Sequence, residues 1–375
     1  MKRCIFYLPY KLDEQGMGAR MLRPRKMIKA FENIGYDVYV ITGVSSSRRV
    51  LIKELKQKIK SGEKYDFMYT ESHTEPTLLT NPNHLPTHPF LDFGFFHYIC
   101  SCGIPIGLFY CDIYWKFDSY GKDLPAWKKK SALFSYRYDI KQYKKYLSRF
   151  YVPDMKICSY IKENKLTEIA GELPPGADEI EVLEQVDKQK QSRNFNEKLL
   201  TLFYVGGIGA HYQIVDLVKA VQKTMNVRMI LCCREQEWKK EKENYEPYMC
   251  DRIQVIHKSS DELEPYYQEA DICSLLFQNN EYIQFAKPFK AYEYLAHEKP
   301  VLSTVGTAIG EFVEKNDIGW NIEFNADTIA EALESIIKDP SILDKKRHNC
   351  AETKKKNLWT SRAEQVVQDL YGSNV

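Results

Sequence analysis

A glycine-rich turn after an apolar run is the first feature of this sequence that could bind a ligand. The run Leu202–Val205 leads into Gly206, Gly207 and Gly209, and a helix-like stretch follows at 213–221. Glycines let backbone amides approach a phosphate closely, and the N-terminal end of the following helix favours negative charge. The pattern predicts a phosphate-binding turn, with a tight turn that binds nothing as the alternative. It does not indicate a nicotinamide site, because the GxGxxG fingerprint of such sites follows the first strand of the fold.

The second feature is the segment 285–296, which combines two lysines, a proline and a glutamate. Pro288 suits the first turn of a helix, and the N-terminal end of a helix carries positive charge. Lys287 and Lys290 would add two cations for a diphosphate, and Glu293 could accept hydrogen bonds from both hydroxyls of a ribose. The alternative is a surface helix with a Lys290–Glu293 ion pair three residues apart.

Strand-like and helix-like segments alternate along the chain, which predicts an α/β fold with two Rossmann-like domains. In such sheets, ligands bind outside the carboxyl ends of the strands, and we expect a cleft between the two halves. The predicted strands are 4–8, 37–41, 66–70, 106–110 and 150–152 in the first half, and 199–205, 228–232, 253–256, 272–277, 301–303 and 320–322 in the second.

A break that contains proline and glycine at 173–178, followed by a charged run, divides the chain. We predict an N-terminal domain at 1–176, a linker at 177–198 and a C-terminal domain at 199–357. A last helix at 358–375 is predicted to pack back on the N-terminal domain.

The composition argues against several classes of protein. With 375 residues, of which 44% are hydrophobic and 28% charged, the chain is typical of a globular protein with two domains. A net charge of +2 provides no overall attraction to nucleic acid. Ten cysteines without CxxC pairs indicate reduced thiols in the cytoplasm, and we expect neither a signal peptide nor a membrane span. His84 and His88 lie in a loop broken by prolines, and because an HExxH spacing does not occur, we expect no metal site.

The glycine turn and the Lys287–Glu293 segment resemble the C-terminal donor domain of retaining GT-B glycosyltransferases, especially glycosyltransferase family 4. The resemblance covers the segments 204–220, 266–277, 287–304 and 319–324, and more loosely 16–20 and 31–42. It implies a GT-B fold whose N-terminal domain binds the acceptor and whose C-terminal domain binds a nucleotide diphosphate sugar. It also implies transfer with retention of configuration, without a metal ion or another cofactor.

The resemblance assigns a role to Glu293 and also reveals departures from the family. Glu293 would be the second acid of the family's E-x7-E element, which holds the nucleotide ribose. The first acid falls at Phe285, so the usual carboxylate contact to the donor sugar is missing. The family's arginine and lysine after the glycine turn, which neutralise the diphosphate, fall at Gly207 and Tyr212.

Other residues must therefore neutralise the diphosphate, because burying it without cations would be strongly unfavourable. Lys287, Lys290 and Arg234 are the predicted replacements. The turn with His257 and Lys258 lies where this family contacts the nucleotide base.

On the N-terminal side, Gly16, Gly18 and Arg20 match the glycine loop and first helix of the family's acceptor domain. We predict that they contact the phosphate or the donor sugar, with a solvent-facing arginine as the alternative for Arg20. Asp112 follows the predicted strand 106–110, where doubly wound sheets bind ligands. We predict that Asp112 binds the acceptor or acts as a base, with a helix-capping aspartate as the alternative.

The segment 127–150 is strongly basic and rich in aromatic residues. Such a helix can lie on an anionic membrane, where each cation contributes up to about 1 kcal/mol. The alternative is a solvated helix whose aromatic residues cover the core of its own domain. The basic residues are Lys128, Lys129, Lys130, Arg137, Lys141, Lys144, Lys145 and Arg149, and the aromatic residues are Trp127, Phe134, Tyr136, Tyr138, Tyr143 and Tyr146.

These features predict a glycosyltransferase that uses a nucleotide diphosphate sugar, with UDP-sugars favoured over GDP-sugars. The expected acceptor is a polysaccharide, a lipid-linked glycan or another glycoconjugate, and no nucleic acid is expected as a partner. We expect the protein in the cytoplasm, with the inner face of the plasma membrane as a further location. The missing acid and cations leave open a non-catalytic subunit of the same fold that assists another transferase.

Overall fold

The computed structural model describes residues 2–13, 16, 18–161, 164–181, 199–209, 212–278, 280 and 283–372. The chain forms two compact units: unit 1 contains Met1–Pro175 and Trp359–Val375, and unit 2 contains Gly176–Leu358. Of the predicted linker at 177–198, residues 182–198 lie outside the described residues.

The sheet of unit 1 is parallel, with the strand order β2-β1-β3-β4-β5-β6. Every residue of β3 is buried, as expected for a parallel strand that helices cover on both faces. The strands are β1 (Arg3–Tyr7), β2 (Asp37–Ile41), β3 (Phe67–Glu71), β4 (Ile106–Phe109), β5 (Arg149–Val152) and β6 (Ala170–Glu172).

The helices of unit 1 include one from the C-terminal end of the chain. They are α1 (Ala19–Asn33), α2 (Ser45–Lys60), α3 (Leu91–Ser101), α4 (Ala126–Tyr146), α5 (Asn164–Glu168) and α13 (Trp359–Leu370), with 3-10 turns at Thr77–Leu79, Tyr114–Lys116 and Met155–Tyr160. Helix α13 packs on α1 and against β3 and β4. A side chain at Gly107 would approach Leu370 to 2.8 Å, so the helix lies close to the strand. The predicted return of the C-terminal helix is confirmed.

The sheet of unit 2 is also parallel, with the order β12-β11-β10-β7-β8-β9. All six residues of β7 are buried, and this strand lies between β10 and β8. The strands are β7 (Leu200–Val205), β8 (Val227–Cys232), β9 (Ile253–Ile256), β10 (Ile272–Leu275), β11 (Val301–Thr304) and β12 (Gly319–Ile322). Together with unit 1, this sheet confirms the prediction of two Rossmann-like parallel-sheet domains.

Helices cover the sheet of unit 2 as well. They are α6 (Val215–Lys223), α7 (Glu235–Glu241), α8 (Glu264–Glu269), α9 (Phe289–Ala296), α10 (Ala308–Lys315), α11 (Ala326–Lys338) and α12 (Ser341–Lys355), with 3-10 turns at Lys242–Asn244, Glu246–Tyr248, Ser260–Leu263 and Ile283–Phe285. None of the helices in the described ranges is both long enough and apolar enough to cross a membrane.

Several elements differ from the predicted ones. Strand β6, Ala170-Gly171-Glu172, has no apolar run, and it forms as the edge strand beside β5. Helix α2 begins at Ser45 with a first turn that contains three serines. Pro288 is the residue before α9 rather than its first helical residue, and its backbone is extended.

Candidate functional site

The strand order of unit 2 brings the ends of β7, β8 and β9 side by side. The N–H of Gly206 donates to the Cys232 carbonyl (3.1 Å), and the N–H of Cys233 donates to the Ile256 carbonyl (3.2 Å). The ring of His257 donates from Nδ1 to the Cys233 carbonyl (2.9 Å). The residues after these three strands, which include the glycine turn, Arg234, His257 and Lys258, therefore share one edge of the sheet, where parallel sheets bind ligands.

Side chains hold the glycine turn from two sides. The Tyr204 hydroxyl donates to the Gly207 carbonyl (2.5 Å), and a side chain at Gly206 would approach that hydroxyl to 2.8 Å. The N–H groups of Ile208 and Gly209 both donate to Oε1 of Glu237, at 3.0 Å each. Glu237 lies 28 residues after Gly209, and no local signal in the sequence marks it as a contact of the turn.

Helix α9 fixes the position of Glu293. Its Oε2 accepts a hydrogen bond from the Tyr267 hydroxyl (3.0 Å) and an ion-pair contact from the Lys290 ammonium group. Within the described part of the chain, nothing contacts Oε1. The Lys290–Glu293 ion pair named as the alternative is thus present, and it leaves one carboxylate oxygen available. Tyr267, buried and stacked on His297 at 4.1 Å, is a site residue that the sequence analysis missed.

The first turn of α9 belongs to the same edge of the sheet. The Tyr294 hydroxyl accepts from the N–H of Val205 (3.1 Å), which links α9 to the last residue of β7. Burial raises the pKa of the Cys232 thiol, and the Lys290 ammonium group acts in the opposite direction. Lys290 therefore lies close enough to the end of β8 for its charge to act there. Lys287, just before the helix, is half-buried.

The remaining cations on this edge differ in their contacts. Lys258 forms an ion pair with Glu262 (2.8 Å) at the surface. Arg234 is exposed at the start of α7, and its guanidinium group has no partner among the described residues. Among the predicted diphosphate contacts, Arg234 is therefore available without breaking an ion pair.

Two family positions with unusual residues have structural explanations. Phe285 ends the 3-10 turn Ile283–Phe285 and is 4% exposed, so an apolar residue is required there for packing. Tyr212 is 38% exposed, and its ring lies 5.8 Å from that of Phe277. Neither side chain brings a charge to the edge of the sheet.

In unit 1, the predicted glycine loop leads into α1 and contacts the loop after β3. The Gly18 carbonyl accepts from the N–H groups of Met21 (2.8 Å) and Leu22 (3.0 Å), so Gly18 precedes the first turn of the helix. The Gly16 carbonyl accepts from the Arg25 guanidinium group (2.5 Å). The Arg20 guanidinium group donates to the Thr74 hydroxyl (3.2 Å) while remaining exposed.

Asp112 lies three residues after β4 and caps a turn. Its Oδ1 accepts from the N–H of Tyr114 (2.8 Å), at the start of the 3-10 turn Tyr114–Lys116. Burial raises the pKa of Asp112, and the hydrogen bond from Tyr114 opposes that rise. The capping alternative therefore applies to Oδ1, and the backbone N–H of Ile113 also acts on the carboxylate.

His73 follows the neighbouring strand β3, and the loops after β3 and β4 are joined by a hydrogen bond. The N–H of Cys111 donates to the Ser72 hydroxyl (3.0 Å). Burial lowers the pKa of His73 to about 4, so its ring is neutral at pH 7. Because Nδ1 accepts from the N–H of Glu75 (3.1 Å), Nε2 carries the proton and can donate to a ligand.

The aromatic residues of α4 divide between its two faces. Tyr136 and Tyr143 are buried, whereas Trp127 and Phe134 are 68% and 69% exposed. Trp127, Phe134 and Lys141 are spaced by seven residues and therefore share the exposed face of the helix. Near the end of this face lies a cavity of about 650 Å³, which is lined by Tyr138, Lys141, Gln142, Lys144, Lys145 and Lys165.

Comparison with known families identifies the C-terminal part of the chain. Residues 185–357 match the family described as "Glycosyl transferases group 1". A search of curated protein sequences found no match.

Solved structures with the same fold cover nearly the whole chain. Sucrose-phosphate synthase from Thermosynechococcus elongatus is 14% identical, with a TM-score of 0.61 over 98% of each chain. Anabaena HepE, solved in complex with UDP, is 14% identical, with a TM-score of 0.63 over 99% of this chain and 100% of HepE. WaaG, a glycosyltransferase involved in lipopolysaccharide biosynthesis, is 13% identical, with a TM-score of 0.56 over 98% of this chain and 100% of WaaG.

Proposed function

We propose that this chain, which has the GT-B fold and matches the group 1 glycosyl transferases over residues 185–357, is a glycosyltransferase that transfers a sugar from a UDP-sugar to a polysaccharide, lipid-linked or glycoconjugate acceptor. We assign the binding of the donor to unit 2 and that of the acceptor to unit 1. The observation that carries this proposal is the anchored carboxylate of Glu293, on the same sheet edge as the unpaired cation Arg234.

Glu293 suits a ribose because one of its oxygens is already held. Tyr267 and Lys290 occupy Oε2 and orient the carboxylate, so Oε1 can accept from a hydroxyl without a large loss of side-chain freedom. Hydrogen bonds to a charged group contribute about 1.5–3 kcal/mol each. Glu293 would thus supply much of the affinity for the nucleoside.

The diphosphate would be neutralised by Arg234, Lys287 and Lys290. Arg234 offers a planar, permanently charged group without a competing partner, and the Lys290 ammonium group lies near the end of β8. HepE has been solved with UDP and with UDP-glucose, which supports a uridine nucleotide as the donor. Gly16, Gly18 and Arg20 remain predicted contacts of unit 1 to the donor, and His257 and Lys258 remain predicted contacts to the base.

Catalysis would consist mainly of positioning and of stabilising the departing diphosphate, without a metal ion. Retention of configuration follows from the family resemblance. In unit 1, Asp112 follows β4, and its raised pKa makes it a better proton acceptor than an ordinary aspartate. We assign it to the acceptor hydroxyl.

Nucleotide titration tests the assignment of the donor site. Isothermal titration calorimetry with UDP and GDP is expected to show tighter binding of UDP. Glu293→Gln should weaken UDP binding by more than about tenfold, or 1.4 kcal/mol. Glu331→Gln, an exposed glutamate on α11, is the matched control. Unchanged affinity in Glu293→Gln would remove the ribose assignment, and no UDP binding at millimolar concentration would favour the non-catalytic subunit.

The exposed face of α4 supports a cytoplasmic location on the inner face of the plasma membrane. Two exposed aromatic rings lie on the same face as lysines, and lysines also line the cavity at the end of the helix. Aromatic residues insert at the interface of a bilayer, and cations attract anionic lipids. This surface would bring the enzyme to a lipid-linked acceptor.

Flotation with liposomes tests the membrane surface. At low salt, the protein should float with liposomes rich in phosphatidylglycerol and stay in solution with phosphatidylcholine alone. The double variant Trp127→Ser/Phe134→Ser should lose most of this binding without a loss of thermal stability, because both rings are exposed. Val50→Ser, which removes an exposed apolar side chain from α2, should float as the wild type does. Equal loss in both variants would contradict the assignment.

A further inference from the structure

The glycine turn of unit 2 already binds an anion, the carboxylate of Glu237. The N–H groups of Ile208 and Gly209 both donate to its Oε1 at 3.0 Å. The carboxylate lies against the glycines themselves: a side chain at Gly207 or Gly209 would approach Oε1 to 3.2 or 3.1 Å. A side chain at either glycine would therefore be tightly packed against the carboxylate of Glu237.

The charge of Glu237 is balanced by these two N–H groups and not by a cation. Glu237 forms no ion pair with any described residue. The negative charge of Glu237 also acts on Cys233. Burial is the main cause that raises the pKa of Cys233 to about 12, and the charges of Cys232 and Glu237 add to the rise. A diphosphate that approached this turn would meet the negative charge of Glu237 at the two N–H groups that it needs for its own hydrogen bonds.

We propose that Glu237 sets the affinity of the enzyme for its donor, because the diphosphate of the nucleotide sugar must displace its carboxylate from the N–H groups of Ile208 and Gly209. The proposal rests on the assignment of donor binding to unit 2. Two acceptors cannot share the same pair of N–H groups, and a carboxylate next to a diphosphate is repelled. The displacement therefore lowers the affinity for the diphosphate, whereas a nucleoside without phosphates would not compete with Glu237.

The substitution that isolates this effect is Glu237→Gln. The amide keeps the shape of the side chain and an oxygen that can accept from the turn, so the turn should keep its conformation. It removes the charge, and hydrogen bonds to a neutral acceptor are about half as strong. UDP should bind this variant about tenfold more tightly than the wild type, whereas the affinity for uridine should not change.

Glu241→Gln is the matched control. Glu241 lies one turn later on the same helix, and its Oε2 accepts from Asn244 (3.1 Å) instead of from the glycine turn. This substitution removes a negative charge close to the glycine turn, but it leaves the carboxylate of Glu237 on the two N–H groups. Little change in UDP affinity is expected for this variant.

Calorimetry with UDP and uridine on the three proteins tests the proposal. Tighter UDP binding in Glu237→Gln alone supports displacement. An equal gain in UDP affinity in both variants would mean that the loss of a nearby negative charge, and not displacement, is the cause, which contradicts the proposal. A weaker or unchanged UDP affinity in Glu237→Gln would overturn the proposal while leaving UDP binding by unit 2 intact. Failure of UDP to bind to all three proteins would overturn the proposed function, and the displacement with it.

Discussion

A buried aspartate in unit 1 should make the stability of that unit fall as the pH rises. Asp139, on the inner face of α4, is 4% exposed. Its Oδ2 accepts from the N–H of Thr77 (2.7 Å), and its Oδ1 has no partner among the described residues. Burial raises the pKa of Asp139 from 3.8 to about 7, and the hydrogen bond from Thr77 only partly opposes the rise. The carboxyl group is therefore more protonated in the folded protein than in the unfolded chain.

The sign and size of the effect follow from this difference in pKa. Between about pH 4 and pH 7 the unfolded chain has lost the proton that the folded chain retains, so raising the pH favours unfolding by about 1.36 kcal/mol per pH unit. With a folded pKa of about 7, the free energy of unfolding should fall by about 2–3 kcal/mol from pH 5 to pH 8 through this group alone. Above about pH 8 the contribution should level off.

Asp139→Asn removes the titration and keeps an oxygen for the N–H of Thr77. The new amide N–H₂ adds a constant cost, so the pH dependence, rather than the stability at one pH, is the measurement. Urea unfolding followed by tryptophan fluorescence, in a background with Trp238 and Trp320 replaced by Phe, reports on unit 1 only. Between pH 5 and pH 8, the free energy of unfolding of the variant should fall by about 2–3 kcal/mol less than that of its parent. Asp123→Asn, at an exposed position, should leave the pH dependence of the free energy of unfolding unchanged. Parallel pH curves for Asp139→Asn and its parent would refute the reasoning.

Two further predictions concern unit 2. Tyr267→Phe removes the hydroxyl that donates to Glu293 (3.0 Å). Because the Glu293 carboxylate is then held less firmly for the ribose, UDP binding should weaken about three- to tenfold in calorimetry. Tyr266→Phe, at the neighbouring position, should bind UDP as the wild type does. Gly206→Ala places a methyl group 2.8 Å from the Tyr204 hydroxyl and should lower the free energy of unfolding by about 1–3 kcal/mol. Adding Tyr204→Phe, which removes that hydroxyl, should recover part of the loss in urea denaturation, and an unimproved double variant would contradict the steric explanation.

The sequence alone was sufficient for the fold and for the location of the elements to which we assign donor binding. Buried parallel strands appear in the sequence as short apolar runs, so most of the strands in the described part of the chain were predicted within a residue or two. The glycine turn after β7 and the start of α9 were also visible, because glycine and proline mark local backbone geometry. Strand β6 and helix α12 were missed because their residues carry no periodic apolar pattern.

The contacts within the site were decided only by the tertiary structure. Glu237 reaches a glycine turn 28 residues earlier in the chain, and Tyr267 reaches Glu293 across 26 residues. The division of the aromatic residues of α4, with Tyr136 inside and Trp127 outside, also depends on which face the sheet covers. Such pairings arise when distant segments pack together, and local periodicity carries no information about which side chains then meet. Composition and spacing thus determined the elements and their ends, whereas packing determined which anion occupies the turn.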